Sequence, residues 1–313
     1  MSDILQLSPY APDELNRELE AVAKVHRWWE LGKPESIPAD IAASITAVAT
    51  KGDLGLNSAL MASLPNLKLI SVYGVGFDAI DLEQARTRGI KITTTPGVLT
   101  DAVADMAVSL ALTASRRIAE GDRFIRDGKW LEGKLGTSFS IRGKNIGIFG
   151  YGRIGRRIAD ILRAFDANIL YTDLAPAAGE EENFRANALE LAKDSRILIV
   201  AAAGGKSTEG LINKDVLEAL GPDGLLINVA RGSVINEGDL VTALEERKLG
   251  HAALDVFMGE PKIKQALIDS LHTTLTPHIA SATVETRINM GRNVIANIQA
   301  HLAGEELISE LKF

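Results

Sequence analysis

Asn145-Ile146-Gly147-Ile148-Phe149-Gly150-Tyr151-Gly152-Arg153-Ile154-Gly155 is the stretch that decides the fold. A short apolar run ends at glycines spaced G-x-G-x-x-G, and apolar residues then recur at helical spacing as Ile154, Ile158, Ile161, Leu162 and Phe165. A second strand-like run, Ile169-Leu170-Tyr171, leads to Asp173, 23 residues past Gly150. The glycine pattern alone is a weak signal. Between two strands, at the start of a helix and followed by an acid at this distance, it is the fingerprint of a dinucleotide-binding βαβ unit. Gly150 permits a tight turn, Gly152 lets backbone approach a pyrophosphate, and Gly155 lets helix pack close to strand. The positive end of the helix then faces the diphosphate. Asp173 suits two ribose hydroxyls and repels a 2′-phosphate, and Leu174 and Ala175 after it provide no cation. The expected cofactor is therefore NAD(H), with NADP(H) as the alternative.

Strand-like runs alternate with helical patterns on both sides of this unit. Ile4–Leu7, Val25–Trp29, Ile45–Thr50, Leu67–Tyr73 and Ile90–Thr93 precede it, with helical spacing in Pro12–Lys24, Asn57–Leu64 and Ile80–Arg88. Arg196–Ala203, Leu225–Ala230, His251–Phe257 and Thr273–Thr276 follow Asn145–Phe149 and Asn168–Thr172. This alternation predicts an α/β protein with two doubly wound parallel sheets. Thr100 to Asp127 reads as one long helix with Thr100 at its start and Asp127-Gly128 as its stop, and Val284–Leu302 reads as a final amphipathic helix.

The 313 residues fit two domains. With 34 basic and 41 acidic side chains the net charge is −7 and no basic run occurs, which argues against a nucleic-acid partner. No apolar run approaches the ~20 residues a membrane span needs. Met1 to Glu20 carries no basic-then-apolar leader pattern, so the expected location is cytoplasmic. The absence of cysteine removes disulfide, thiolate-metal and Cys-nucleophile chemistry. The five histidines form no metal-binding spacing, and no metal is expected. Gly204-Gly205-Lys206-Ser207 resembles the end of a P-loop but has Val200 where the first glycine must stand.

Two residues stand out at strand ends. His278 follows Pro277 after Thr273–Thr276, and Arg231 ends the apolar run Leu225–Ala230, where open α/β sheets bind ligands. Asp255 and Glu260, in Asp255-Val256-Phe257-Met258-Gly259-Glu260-Pro261, are the acids nearest such a crevice.

Val229-Ala230-Arg231-Gly232, Leu254-Asp255-Val256-Phe257 with Gly259-Glu260-Pro261, Pro277-His278-Ile279-Ala280-Ser281, the glycine loop, and Val75-Gly76-Phe77-Asp78-Ala79-Ile80-Asp81 together resemble the D-isomer-specific 2-hydroxyacid dehydrogenase family. The stretch Thr95–Met106 with Gly128-Lys129-Trp130 is most similar to its glyoxylate and hydroxypyruvate reductase branch. The resemblance implies a Rossmann cofactor domain (residues 99–284) inserted in a flavodoxin-like substrate domain (1–98 and 285–313). It implies a catalytic trio of Arg231, Glu260 and His278, a substrate carboxylate held by Arg231 and by the Val75 and Gly76 N–H groups, and a homodimer in which Trp130 reaches a partner's site. Cofactor contacts are implied from Thr100, Gly150, Gly152, Arg153, Ile154, Gly155, Asp173, Ala202, Ala203, Thr208, Val229, Ala230, Asp255, His278 and Ala280. Asp255 is expected to orient the nicotinamide amide. The family's usual proline near Ala203 is missing here. The alternatives of the same fold are a phosphoglycerate dehydrogenase-like enzyme and a dinucleotide-sensing interaction protein.

Overall fold

A computed structural model describes residues 2–31 and 37–312. The chain divides into two compact units, Met1–Leu99 with Ser281–Phe313, and Thr100–Ala280.

In the first unit, β1 (Asp3–Gln6), β2 (Val25–Arg27), β3 (Ile45–Lys51), β4 (Leu69–Tyr73) and β5 (Lys91–Thr93) form a parallel sheet in the order β2-β1-β3-β4-β5. That order is the flavodoxin-like one. β1 and β4 are buried along their whole length, as expected of strands covered on both faces. The helix Val284–Ala303 packs on β4, where the Tyr73 hydroxyl donates to the Arg287 carbonyl at 2.9 Å. β2 stops at Arg27, and Trp28 and Trp29 begin a short helix instead of extending the strand. As the edge strand β2 has a ladder on one side only, so less holds the chain extended.

In the second unit, β6 (Asn145–Phe149), β7 (Asn168–Thr172), β8 (Ile197–Val200), β9 (Leu225–Asn228), β10 (His251–Leu254) and β11 (Thr273–Leu275) form a parallel sheet in the order β11-β10-β9-β8-β6-β7. A single parallel bridge from Tyr171 to Phe184 stands outside β7, in the place of a further edge strand. The order reverses between β6 and β8, which is where such folds bind ligands. β8, β9 and β10 are shorter than the apolar runs that announce them. Phe149, Val200, Asn228, Leu254 and Leu275 pair in line across the sheet, and the apolar residues beyond this line, such as Val229 and Phe257, are buried under loops instead.

The single long helix expected from Thr100 is two helices, Thr100–Ser115 and Ile118–Arg126. Arg117 adopts a left-handed conformation, φ 55°. Its guanidinium grips Glu120 with bonds of 2.7 and 2.6 Å, while the Ser115 carbonyl accepts from Phe139 N–H at 3.1 Å. These bonds, one local and one to Phe139 24 residues on, replace helical ones without glycine or proline, so apolar spacing that continues to Ile118 conceals the break.

Candidate active site

Because the strands of the second unit end in line, the loops that follow them lie along one edge of the sheet. Gly150 comes after β6, Ala201–Ala203 after β8, Arg231 after β9, Glu260 after β10 and His278 after β11.

The glycine loop is built for close approach. Gly150 has φ +98°, and a side chain there would collide with the Ala202 backbone, while one at Gly155 would collide with the Gly150 carbonyl. A Cβ on Gly152 would meet nothing within 4 Å, so that position faces open space. The helix Arg153–Arg163 begins with no side-chain cap and no acid in its first turn. Its N–H groups and dipole are therefore available to an anion. Asp173 is exposed after β7. Its carboxylate accepts from the Tyr151 and Leu174 N–H groups, both at 2.7 Å, which ties the loop to the acid. Arg153 is exposed and Ile154 half-buried in the first helical turn. Thr100 begins the neighbouring helix, which is tied to the glycine helix by Arg157 donating to Asp101 at 2.6 Å. This cradle, with its open Gly152 position, fits a dinucleotide diphosphate.

His278 also has a left-handed backbone, φ 52°, a conformation costing about 1–2 kcal/mol for a residue other than glycine. Asp255 compensates it. Fully buried, its carboxylate accepts from Thr276 Oγ1 at 2.6 Å and from the Ile279 and Ala280 N–H groups at 2.9 Å, and its carbonyl takes the His278 N–H at 2.9 Å. These bonds make Asp255 the residue that holds the histidine loop in place. His278 Nδ1 lies 2.7 Å from Glu260 Oε2, with the two side chains 36% and 28% exposed. Glu260 Oε1 accepts from the Phe257 N–H at 2.7 Å. The hydrogen bond that His278 donates to Glu260, with the Glu260 and Asp255 charges, raises the His278 pKa above its ordinary value, against burial and the Arg231 charge. Burial pushes the Glu260 carboxyl up, but the bonds from His278 and the Phe257 N–H and the charges of His278 and Arg231 outweigh it, leaving it below the usual range.

Arg231 is half-buried, and its Nη1 donates to the Ala230 carbonyl at 2.8 Å. Val229 and Ala230 are buried beside it. Two polar residues not singled out by sequence support these loops. Asn228, fully buried at the end of β9, binds both Ala230 and Arg231, and the Glu237 carboxylate accepts from Met258 N–H at 3.0 Å. The available signal was a polar side chain closing an otherwise apolar run, Leu225-Leu226-Ile227-Asn228.

Other expected residues are less directly engaged. The Thr208 hydroxyl donates to the Ala203 carbonyl at 2.7 Å and so folds its own loop. Ala202 is half-buried and Ala203 exposed. Trp130, 66% exposed, lies in the short turn Lys129–Leu131 of the second unit. Val75 and Gly76 are half-buried in the first unit, just after β4. Among the described residues no cluster of three metal-ligating side chains occurs.

A family profile described as D-isomer specific 2-hydroxyacid dehydrogenase, NAD binding domain, matches residues 108–280. Hydroxyphenylpyruvate reductase of Plectranthus scutellarioides is 40% identical over 297 residues, covering 94% of each chain. The chain belongs to the D-isomer-specific 2-hydroxyacid dehydrogenase family. Glyoxylate/hydroxypyruvate reductase A of Arabidopsis thaliana is 37% identical, over 98% of this chain and 97% of that protein. The crystal structure of an NADPH-dependent glyoxylate/hydroxypyruvate reductase from Sinorhizobium meliloti, in complex with NADP and malonate, superposes with a TM-score of 0.93 at 36% identity, covering 99% of this chain and 96% of that one. As a member of this family the chain is an NAD(P)-dependent oxidoreductase that reduces 2-oxo acids.

Proposed function

We propose that the chain reduces glyoxylate and hydroxypyruvate, with NADH as the preferred donor and Arg231, Glu260 and His278 as the catalytic trio. The support for the trio is the 2.7 Å pair of His278 Nδ1 and Glu260 Oε2, with the Arg231 charge acting on both members.

Bound in the Gly150–Gly155 cradle, with Asp173 toward the ribose, the dinucleotide supplies the hydride. Nδ1 of His278 is committed to Glu260, which leaves Nε2 to give a proton to the substrate's carbonyl oxygen. Glu260 keeps that proton on the ring to higher pH, which suits an acid in the direction of reduction. Arg231 holds the carboxylate and opposes the negative charge that builds on the oxygen, an interaction stronger in the transition state than in the ground state. Binding of the carboxylate by the Val75 and Gly76 N–H groups belongs to the same proposal. Two names among the relatives, glyoxylate/hydroxypyruvate reductase from plant and bacterium, favour the small substrates. Asp173 followed by Leu174 favours NADH.

A homodimer in the cytoplasm completes the reading. The helix Ile118–Arg126 buries no residue, and Ile118, Ile125, Trp130 and Leu131 are 55%, 58%, 66% and 95% exposed, an apolar surface suited to a second copy. Among the described residues no helix is long and apolar enough to cross a membrane.

The test is steady-state kinetics with glyoxylate, hydroxypyruvate, pyruvate and phenylpyruvate against NADH and NADPH. His278→Ala is expected to lower kcat by about 10²–10⁴-fold, the usual worth of a general acid. Near-native turnover in that variant overturns the trio, and a native preference for NADPH overturns the role given to Asp173.

A further inference from the structure

Arg231 stands on a turn held chiefly by one side chain, its carbonyl also accepting from the Val234 N–H at 3.3 Å. Asn228 ends β9 fully buried, its Oδ1 accepting from the Ala230 N–H at 3.0 Å and its Nδ2 donating to the Arg231 carbonyl at 2.9 Å. From these bonds the geometry points to Asn228 as the positioning residue for Arg231, setting where the guanidinium meets the substrate carboxylate. This rests on the carboxylate role proposed above for Arg231.

The chemistry admits few substitutes. The amide must accept at one end and donate at the other, and flipping it would set N–H against N–H and oxygen against oxygen. Aspartate keeps the acceptor for Ala230 but faces the Arg231 carbonyl with a second oxygen, and alanine leaves buried groups without the amide. On its far side the turn is fixed by packing, because Gly232 lies so close to the Phe257 and Met258 backbone that any side chain there would collide with it. With Gly232 pinned, the path from β9 to Arg231 depends on the amide. β9 is also central in its sheet, paired with β8 and β10 up to Asn228, so the strand gives the amide a rigid base.

The experiment is a double-mutant cycle on oxamate binding to the enzyme–NADH complex, read by quenching of NADH fluorescence. Oxamate carries the carboxylate and carbonyl of a 2-oxo acid and does not react. In the native background Asn228→Ala and Asn228→Asp are each expected to raise the oxamate Kd by roughly 10- to 100-fold, the loss that a misplacement of about 1 Å produces. In an Arg231→Ala background the same substitutions should change it by less than about twofold, since a residue acting through Arg231 has nothing left to position. An unchanged Kd in the native background overturns the proposal, as does an equal change in both backgrounds. If Asn228→Ala does not fold, Asn228→Asp, which keeps the volume, decides. Arg231→Ala alone leaving oxamate affinity intact refutes the carboxylate role of Arg231, a result separable from failure of Asn228.

Discussion

Replacing Asp255 by asparagine changes almost no volume and removes one acceptor. Of the three donors on the carboxylate, Thr276 Oγ1 and the Ile279 N–H share Oδ1, and the Ala280 N–H is alone on Oδ2. The asparagine keeps most by placing its oxygen at Oδ1, which turns its NH2 against the Ala280 N–H. One buried donor is then unsatisfied, at about 1–3 kcal/mol, and the two remaining bonds lose the reinforcement of an ionised acceptor, roughly 1 kcal/mol each. Relief from burying a charge offsets part of this, so a net loss of about 2–3 kcal/mol is expected. For a unit the size of Thr100–Ala280 this corresponds to a fall in Tm of roughly 4–12 °C. The left-handed His278 loses its support at the same time, and kcat for glyoxylate should drop by about 10²-fold. Differential scanning calorimetry of the protein without cofactor, with kcat measured alongside, checks both numbers. A Tm within about 1 °C of native refutes the loop-holding argument. If the KM for NADH then rose, Asp255 would instead be a nicotinamide contact.

Glu260→Gln removes the charge and weakens the hydrogen bond that raise the His278 pKa, so burial and Arg231, which lower it, are opposed only by the weakened bond and the Asp255 charge. Since the acid form drives reduction, the pH above which kcat/KM for the oxo acid falls should move downward, and a profile that stays in place counts against the pair. Gly152→Ala should leave Tm unchanged, because its Cβ enters open space, yet weaken NADH binding by about tenfold or more if the pyrophosphate backbone lies there; calorimetric titration reads the affinity, and native binding would show that the cradle lies elsewhere. Asp173→Ala should narrow the preference for NADH over NADPH in kcat/KM, and an unchanged ratio removes Asp173 from cofactor choice.

The parts of this molecule that were legible in sequence are those where one residue type answers one physical demand. Asn145–Phe149 and Asn168–Thr172 match β6 and β7 because parallel strands buried on both faces are written as apolar runs. Gly150 and Gly155 were readable because close contacts admit no other residue. Arg231 and His278 were visible as polar residues at the ends of apolar runs. Features set by hydrogen bonds between residues distant in sequence were not. Nothing in a 3.6-residue period reveals that Phe139 will take the Ser115 carbonyl and help end a helix there. Asp255 sits among candidate functional acids, and only its three donors, 21 to 25 residues away, disclose that it also holds the histidine loop. Asn228 interrupts an apolar run, but the sequence does not say which backbone groups its amide will hold.

The interrupted order of the two units bears on how the chain is made. Thr100–Ala280 is continuous, whereas Met1–Leu99 is completed by Ser281–Phe313. That returning segment supplies the Arg287 carbonyl for Tyr73, the 3.1 Å ion pair of Arg292 with Glu18, Ser309 Oγ on the Thr94 carbonyl at 2.6 Å and the Leu311 N–H on the Ile92 carbonyl at 2.8 Å. During synthesis at about 5–20 residues per second, the sheet that leaves the ribosome first must wait with β4 uncovered until the final helix emerges. The cofactor-binding half, translated later, has all its own strands available sooner. The first-made half is thus the last to be finished, and the β4 surface that the final helix packs on stays uncovered until then.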